Sequence, residues 1–481
     1  MNGVPLIVVS ALRDAGREPA VPFRVQLADG RELSVRRLLR VLPGKRLVGE
    51  AELEGRRVLA KLFIAQRGER HWQRERDGLE ALRLAAVPTP ALVAATAISG
   101  GGHALLTDFL DPAESLAETW QRLSRQVPGE AAAMAALAPA VTVLGRLHAA
   151  GLLHEDLHLG NFLRHQGALF VIDGDAVQAI HPGRPLAAAQ ACANLAVLLA
   201  QLPAEWDALV GSWLSAYAAG SAGALPEVEA GALLAQIRQV RARRLADFLA
   251  KTVRECTLFA VTHDTRRFAA VVRPEAARLA ELLAHPDRAI DAGEILKDGG
   301  TCTVARGVVD GRALLIKRYN LKSLRHALSR AWRPSRAWHS WREAHRLQFL
   351  GIPTPAPLAL LEERYGPLRR RAWLVSEFCP GPDLLRHLCA DREPPDVEAR
   401  AILALFESLH RQRISHGDLK ATNLLWHAGR VLLIDLDAVV QHRSNGAHAR
   451  AWRRDRARLL RNWPPESVLH RWLDDRLPAA A

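Results

Sequence analysis

The phrase HEDLHLGN at 154–161 returns as HGDLKATN at 416–423. The likeness extends outward, from LGRLHAAGLLHEDLHLGNFLRHQGALFVIDGDAV (144–177) to FESLHRQRISHGDLKATNLLWHAGRVLLIDLDAV (406–439). The step from Asn161 to Asp173 equals the step from Asn423 to Asp435. Upstream, VLPGKRLVGEAELEGRRVLAKLF (41–63) parallels LKDGGTCTVARGVVDGRALLIKRY (296–319), and VPTP (87–90) parallels IPTP (352–355). A repeat this long is a duplicated domain and not a solenoid of short units. It predicts a first domain over 1–284, with an N-terminal extension of about 1–30, and a second over 285–481. A chain of 481 residues can bury a core in each.

Each copy orders its patterns in the same way. RVLAKL and RALLIK read as strands entered through a Glu-Gly or Asp-Gly turn. Helical stretches follow, ended by the PTP prolines. Residues 129–150 and 395–412 read as long helices, and FVIDGDAV and VLLIDLDAV as short strands ending in carboxylates. The fold class is therefore α+β: two tandem domains, each with a small sheet-rich lobe and a larger helical lobe. Residues 243–274 read as a helix turning into strands, a bridge between the copies with no chemical role.

The repeated polar residues suit one chemistry. Asp156, Asn161 and Asp173, or Asp418, Asn423 and Asp435, supply two carboxylates and an amide. Asn161 with Asp173, or Asn423 with Asp435, can ligate Mg²⁺, which needs only one or two carboxylates beside substrate phosphates. Asp156 or Asp418 is left to orient an alcohol and accept its proton. Lys61 or Lys317, at the end of its strand, can hold phosphate oxygens. The turns at Gly44 and at Gly299, Gly300 and Thr301 bring backbone N–H groups close to them. These parts serve phosphoryl transfer from ATP to an alcohol. Taken singly, each has an ordinary reading: a turn glycine, a solvated lysine, a helix-capping aspartate. Their fixed order, met twice, argues for the chemistry.

The residues from His154 to Asn161 and from His416 to Asn423, with Asp173-Gly174-Asp175 and Asp435-Leu436-Asp437, resemble the catalytic and metal-binding loops of the protein-kinase-like superfamily. The resemblance implies a helix glutamate paired with each lysine: Glu343 in copy two, and Glu75 in copy one, with Glu80 as a competitor. The stretch KRYNLKSLRHALSRAWRPSRAWHSWREAHRLQFLGIPTP (317–355), with HGDLKATN and RRDRARLLRNW (453–463), resembles the lipopolysaccharide core kinases, which phosphorylate heptose or Kdo. That implies ATP, Mg²⁺ and a glycolipid acceptor at the inner face of the inner membrane. It also implies that Asp455, and Asn194 in copy one, brace the catalytic loop. Glu155 and Gly417 stand where regulated kinases carry arginine, so constitutive activity is expected. His158 faces Lys420 in the comparison of copies, and a lysine there can touch the transferred phosphate, which favours copy two.

Charge and cysteine usage bound the partners. A net charge of +14 admits an anionic membrane, a phosphorylated substrate or nucleic acid, or simply arginine as the default surface charge. Between Arg318 and Arg342 there are seven basic residues and no acid, interleaved with Trp332, Trp338 and Trp341. This reads either as a surface for anionic glycolipid or as a solvated helix whose tryptophans pack on the small lobe. Nothing else resembles a nucleic-acid module, so none is expected as a partner. The basic run 449–463 reads as a structural helix of the large lobe. Five scattered cysteines without a CxxC fit a reducing compartment and argue against zinc. The start lacks a basic leader and 186–202 reads as a buried helix, so the expected place is the cytoplasm, peripheral on the membrane. Two rival readings remain: a kinase-like scaffold without turnover, and a phosphotransferase acting on a small soluble alcohol.

Overall fold

Glu54-Gly55 and Asp310-Gly311 reverse the chain at the same point in each copy. All four residues have positive φ, at 49°, 81°, 48° and 75°. Tight turns of this kind match the twist of the strands they join, and each delivers a lysine strand, Arg56–Phe63 or Arg312–Tyr319. The computed structural model describes residues 4–124, 130–221, 227–320, 334–366 and 368–479. They divide into two units, Met1–Ala242 and Arg243–Ala481.

In the first unit six strands form an antiparallel sheet. Its order is Phe23–Gln26, Glu32–Leu42, Arg46–Leu53, Arg56–Phe63, His103–Asp108 and Leu92–Ala97. One face buries Val9, Leu12, Val58, Ala60 and Leu62, so the N-terminal residues cover the sheet. The helices Glu130–Ala149, Ala188–Leu199 and Val210–Ala219 build the second lobe around Leu137, Leu144, Leu195 and Trp213. Glu130–Ala149 is the one helix among the described residues long and apolar enough to cross a membrane. It buries Leu137, Val141 and Leu144 in that core.

The second unit repeats five of these strands in the same order, from Glu294–Gly299 through Cys302–Val309, Arg312–Tyr319 and Leu368–Glu377 to Pro357–Tyr365. The register at the lysine is preserved. Val48 faces Lys61 and Val304 faces Lys317, with Leu105 and Leu374 on the other side. The two sheets are extended at opposite edges. The first adds Phe23–Gln26 beside Glu32–Leu42; the second adds Arg267–Val272 and Phe259–His263 beyond Pro357–Tyr365. The division between units therefore falls at 242/243 and not at the expected 284/285. The segment expected to bridge the copies supplies two strands of the second sheet. The second helical lobe is formed by Asp396–Arg411, Asn445–Leu460 and Val468–Arg476 around Phe406, Trp452 and Trp472.

Each unit also buries a histidine. His148, bonded to Tyr217 and Asn194, is pushed by burial down to about 4. His345 stacks edge-on to Trp341 with 4.2 Å between ring centres, and burial takes it to about 3. Both are neutral in the fold, so below the ordinary value of 6.5 the unfolded chain binds more protons. Stability is expected to fall as pH drops from 6.5 towards 4, by on the order of a few kcal/mol per unit. Urea midpoints measured across that window test this, and His345→Leu should reduce the response of the second unit without abolishing it, because buried His448 is also pushed down to about 4.

Candidate active site

Asp173 and Asp435 sit two residues beyond the strands Ala168–Val171 and Arg430–Leu433, in the left-handed region, at φ 72° and 59°. Few non-glycine residues are held there without a surrounding structure that fixes them. The fixing contact is shared: the ring of His154 or His416 approaches the carbonyl of Ile172 or Ile434, at 3.5 and 2.9 Å. Asn161 and Asn423 donate from Nδ2 to the carbonyls of Asp156 and Asp418, both at 2.8 Å. These bonds use Nδ2 and leave Oδ1 uncommitted in both. In each unit the loop and the strand end are locked to one another by the same bonds.

The lysines differ. In the first unit Lys61 Nζ lies 2.5 Å from Glu75 and 3.5 Å from Asp173. Glu75 is buried and also accepts the N–H groups of Gly174 and Asp175, at 3.0 and 3.3 Å. Burial pushes its carboxyl up against the pull of Lys61. Burial would also raise Asp173, but Lys61 and Arg46 hold it below the ordinary range. Glu80, the other candidate, points away and pairs with Arg83 at 2.6 Å.

In the second unit Lys317 Nζ reaches Asp435 at 2.6 Å and Asp437 at 3.0 Å. Glu343 does not meet it; it pairs with Arg346 at 2.7 Å. This corrects the expected Lys317–Glu343 pair. Counted back from the PTP motif, the position of Glu75 is Ser340, and Glu343 matches Gly78. Gly78 has no room for a side chain: a Cβ would lie 2.0 Å from the Gly174 carbonyl oxygen. The helix and the Asp-Gly-Asp turn approach closely in the first unit because both carry glycine. In the second unit Leu436 replaces Gly174, and the carboxylate comes from the turn itself. Asp437 accepts from Tyr319 at 2.7 Å and Ser340 at 2.8 Å, and lies 3.6 Å from Arg336. Burial would raise Asp437, but Lys317, Tyr319 and Ser340 hold it below the ordinary range. Burial would lower the Lys317 ammonium, yet Tyr319, Asp437 and Asp435 raise it. The Asp-x-Asp repeat was the sequence signal for Asp437; nothing in the pattern singled out Ser340 or Tyr319.

Asp418 is held more firmly than Asp156. Arg458 Nη1 lies 2.6 Å from one of its carboxylate oxygens and Lys420 Nζ 3.0 Å from the other. Burial raises Asp418, and the two cations take it below the ordinary range. Asp156 is 72% exposed and has His158 at 3.9 Å. Beneath the loop, buried Asp455 accepts the N–H groups of His416 and Gly417, at 2.6 and 3.0 Å. Asn194 meets His154 twice in the first unit, at 3.4 and 2.8 Å, without a charge. Arg458 has Val197 at the matching position.

A cavity of about 530 Å³ in the second unit is lined by Lys317, Tyr319, Glu377, Asn423 and Asp435, with apolar Leu315, Leu374 and Leu425. That size and mixture suit a nucleotide. The strands before and after the turn form part of its wall at Lys297 and Cys302. Two residues of the turn itself are tied to Asn320 and Arg336: Gly299 O accepts from Asn320 at 3.1 Å and Thr301 O from Arg336 at 2.8 Å. Gly44, at φ 64°, sits in a turn whose Lys45 carbonyl accepts the N–H groups of Ile64 and Ala65. No group of three or more His, Cys, Asp or Glu side chains able to hold a metal occurs among the described residues. Asn423 Oδ1 and Asp435 still fit Mg²⁺, which takes its other oxygens from phosphates and water.

Of the basic, tryptophan-containing segment, 321–333 lies outside the described residues, and with it Trp332, Arg330 and Arg333. Trp341 is fully buried and donates to the Thr252 carbonyl at 3.1 Å. Trp338 packs on Phe268, 4.9 Å between ring centres. These two pack on the small lobe, so the glycolipid reading does not extend to them.

The model of the lipopolysaccharide kinase (Kdo/WaaP) family matches residues 56–187 and 282–471, one stretch in each unit and more than half of the chain. The chain belongs to this family. Its fold is protein-kinase-like, and each matched stretch contains one of the two His-x-Asp-x₄-Asn loops described above. A 3-deoxy-D-manno-octulosonic acid kinase of Xylella fastidiosa (strain 9a5c) is 35% identical over 117 residues, 23% of this chain and 43% of that protein. The lipopolysaccharide core heptose(I) kinase WaaP of Escherichia coli is 24% identical over 197 residues, 37% of this chain and 69% of that protein. The chain spans about half the length of the octulosonic acid kinases it matches. A solved structure, "WaaP in complex with acyl carrier protein", aligns over 43% of this chain and 88% of its own at 19% identity, with a TM-score of 0.32.

Proposed function

We propose that the second unit is an ATP-dependent kinase that phosphorylates a sugar hydroxyl, of heptose or Kdo, in the lipopolysaccharide core. One observation carries the reading: Lys317, Asn423 and Asp435 line one cavity, and the same loop presents Asp418 between two cations. Lys317 holds the donor phosphates, steadied by Asp435 and Asp437. Asp418 accepts the proton of the acceptor hydroxyl, whose oxygen bonds to the γ-phosphorus as the bond to the bridging oxygen of ADP breaks. Asn423 and Asp435 would hold Mg²⁺, which supplies charge neutralisation on the phosphates. Relatives named for octulosonic acid and heptose kinases support the acceptor class. The site of action that follows is the inner face of the inner membrane, where that glycolipid is exposed to ATP.

The first unit favours a second reading. It keeps Lys61, Glu75, Asn161 and Asp173, so it can hold a nucleotide. It lacks the carboxylate of Asp455 and the guanidinium of Arg458, which fix the transfer loop in the second unit. We infer nucleotide binding with little transfer for it. The deciding experiment supplies ATP with dephosphorylated core oligosaccharide, and separately with small alcohols, and follows labelled phosphate. Label on the oligosaccharide alone is expected. Label on the small alcohols alone would favour a soluble acceptor, and bound ATP without any product would favour a scaffold.

A further inference from the structure

Helix Asn445–Leu460 turns one side inward and keeps the other bare. Ala451, Trp452, Asp455 and Leu459 are buried, as expected of a structural helix. On the outer side stand Arg450, Arg454 and Arg458, followed by Arg461 at the helix end. At 3.6 residues per turn these four fall within roughly 80° of arc and span roughly 16 Å. Arg458 ends on Asp418 and on the Gly417 carbonyl, at 2.6 and 3.0 Å. Arg450, Arg454 and Arg461 are exposed and carry no ion pair among the described residues. Arg456, on another side of the helix, pairs with Asp474 at 2.7 Å, while exposed Arg453, beside Arg454, reaches only the Ala449 carbonyl of its own helix, at 3.4 Å.

A line of unpaired guanidinium groups that leads to a general base marks the approach of an anionic substrate. We propose that Arg450, Arg454 and Arg461 form the docking face for the carboxylates of a sugar-acid oligosaccharide, and that Arg458 hands its hydroxyl to Asp418. This rests on the acceptor class proposed above. Guanidinium forks match carboxylates in pairs of hydrogen bonds, and a face of this length accommodates a short oligosaccharide and not a single sugar. The first unit has no such face: the helix Ala188–Leu199, which carries Asn194, contains no arginine at all.

The test uses the full chain with Arg450, Arg454 and Arg461 all changed to Gln. The probe is deacylated, dephosphorylated core oligosaccharide that retains its carboxylates, compared with the same saccharide after methyl esterification. Wild type is expected to bind the free acid about tenfold more tightly than the triple variant does. The preference should shrink as salt rises. Esterification should weaken wild type by a similar factor and leave the variant nearly unmoved, since both changes remove one interaction. The Kd for ATP, read in parallel, reports that the variant is folded. Equal binding of the free acid by both proteins overturns the inference. So does an equal loss toward acid and ester, or a loss confined to anionic lipid vesicles. Phosphate transfer to the same saccharide is scored separately. Transfer with unaltered affinity in the variant overturns the docking face alone; arginine-dependent binding without transfer supports the docking face and overturns the enzymatic reading.

Discussion

Asp418→Asn is expected to lower phosphate transfer by about 10²- to 10⁴-fold while ATP affinity stays within a factor of two or so. The substitution keeps size and shape, and the backbone carbonyl of residue 418 still accepts from Asn423, so the loop holds. What is lost is the oxygen that takes the proton. Arg458 and Lys420 lose a charged partner, yet both are 40% or more exposed and water can replace it. Asp156→Asn is expected to leave the main product untouched, because Asp156 faces solvent with only a distant histidine beside it. Initial rates with labelled ATP, and separation of the products, decide between the copies. An Asp418→Asn protein that retains at least half of the wild-type rate would remove Asp418 from the role of base. A distinct product lost in Asp156→Asn would show two working sites.

The second large effect concerns Asp437. Changing it to Asn is expected to destabilise the second unit by about 3 kcal/mol and to raise the KM for ATP roughly tenfold or more. Asp437 is shared by Lys317, Tyr319, Ser340 and Arg336 in a largely buried place, so an amide leaves at least one cation short of its partner. Glu343→Gln is expected to do little to nucleotide binding, since Glu343 contacts Arg346 and not Lys317. Adding Ser340→Glu to Asp437→Asn should restore part of the ATP affinity, because position 340 is where Glu75 stands in the first unit. Urea unfolding and ATP saturation curves read both effects. A rise in KM for Glu343→Gln and none for Asp437→Asn would reverse the assignment.

The two lysine environments show where sequence reading reaches and where it stops. The His-x-Asp-x₄-Asn phrase and the Asp-x-Asp strand end were legible because their residues are close in sequence and their spacing is fixed by one loop. The lysine strands were legible from the Glu-Gly and Asp-Gly turns, whose backbone demands are local. The partner of Lys317 was not. Choosing Glu343 required alignment of two helices that differ by three residues at that point, and glutamate was the only acid in reach. The structure instead uses Asp437, on the far side of the chain from that helix in sequence. Trp338 and Trp341 failed for a related reason: aromatic residues among arginines look alike whether their helix faces lipid or a sheet. Residues 259–272 had a strand pattern, but which strand they join depends on a non-local register that no single segment encodes.

That non-local pairing has a practical side. Strand Pro357–Tyr365 lies inside the second sheet only because Arg267–Val272 occupies its outer hydrogen bonds. A protein cut between 284 and 285 would begin after both added strands and leave Pro357–Tyr365 as a bare edge, with Leu358, Ala359, Leu360 and Leu361 along it. An apolar strand with unpaired backbone groups recruits other strands, its own copies first. Here the neighbouring copy in the same chain carries a sheet of the same order, a ready template for the wrong pairing. Extending the two sheets at opposite edges gives each duplicate a different seam. A chain with two near-identical folds can then complete both without confusing one for the other.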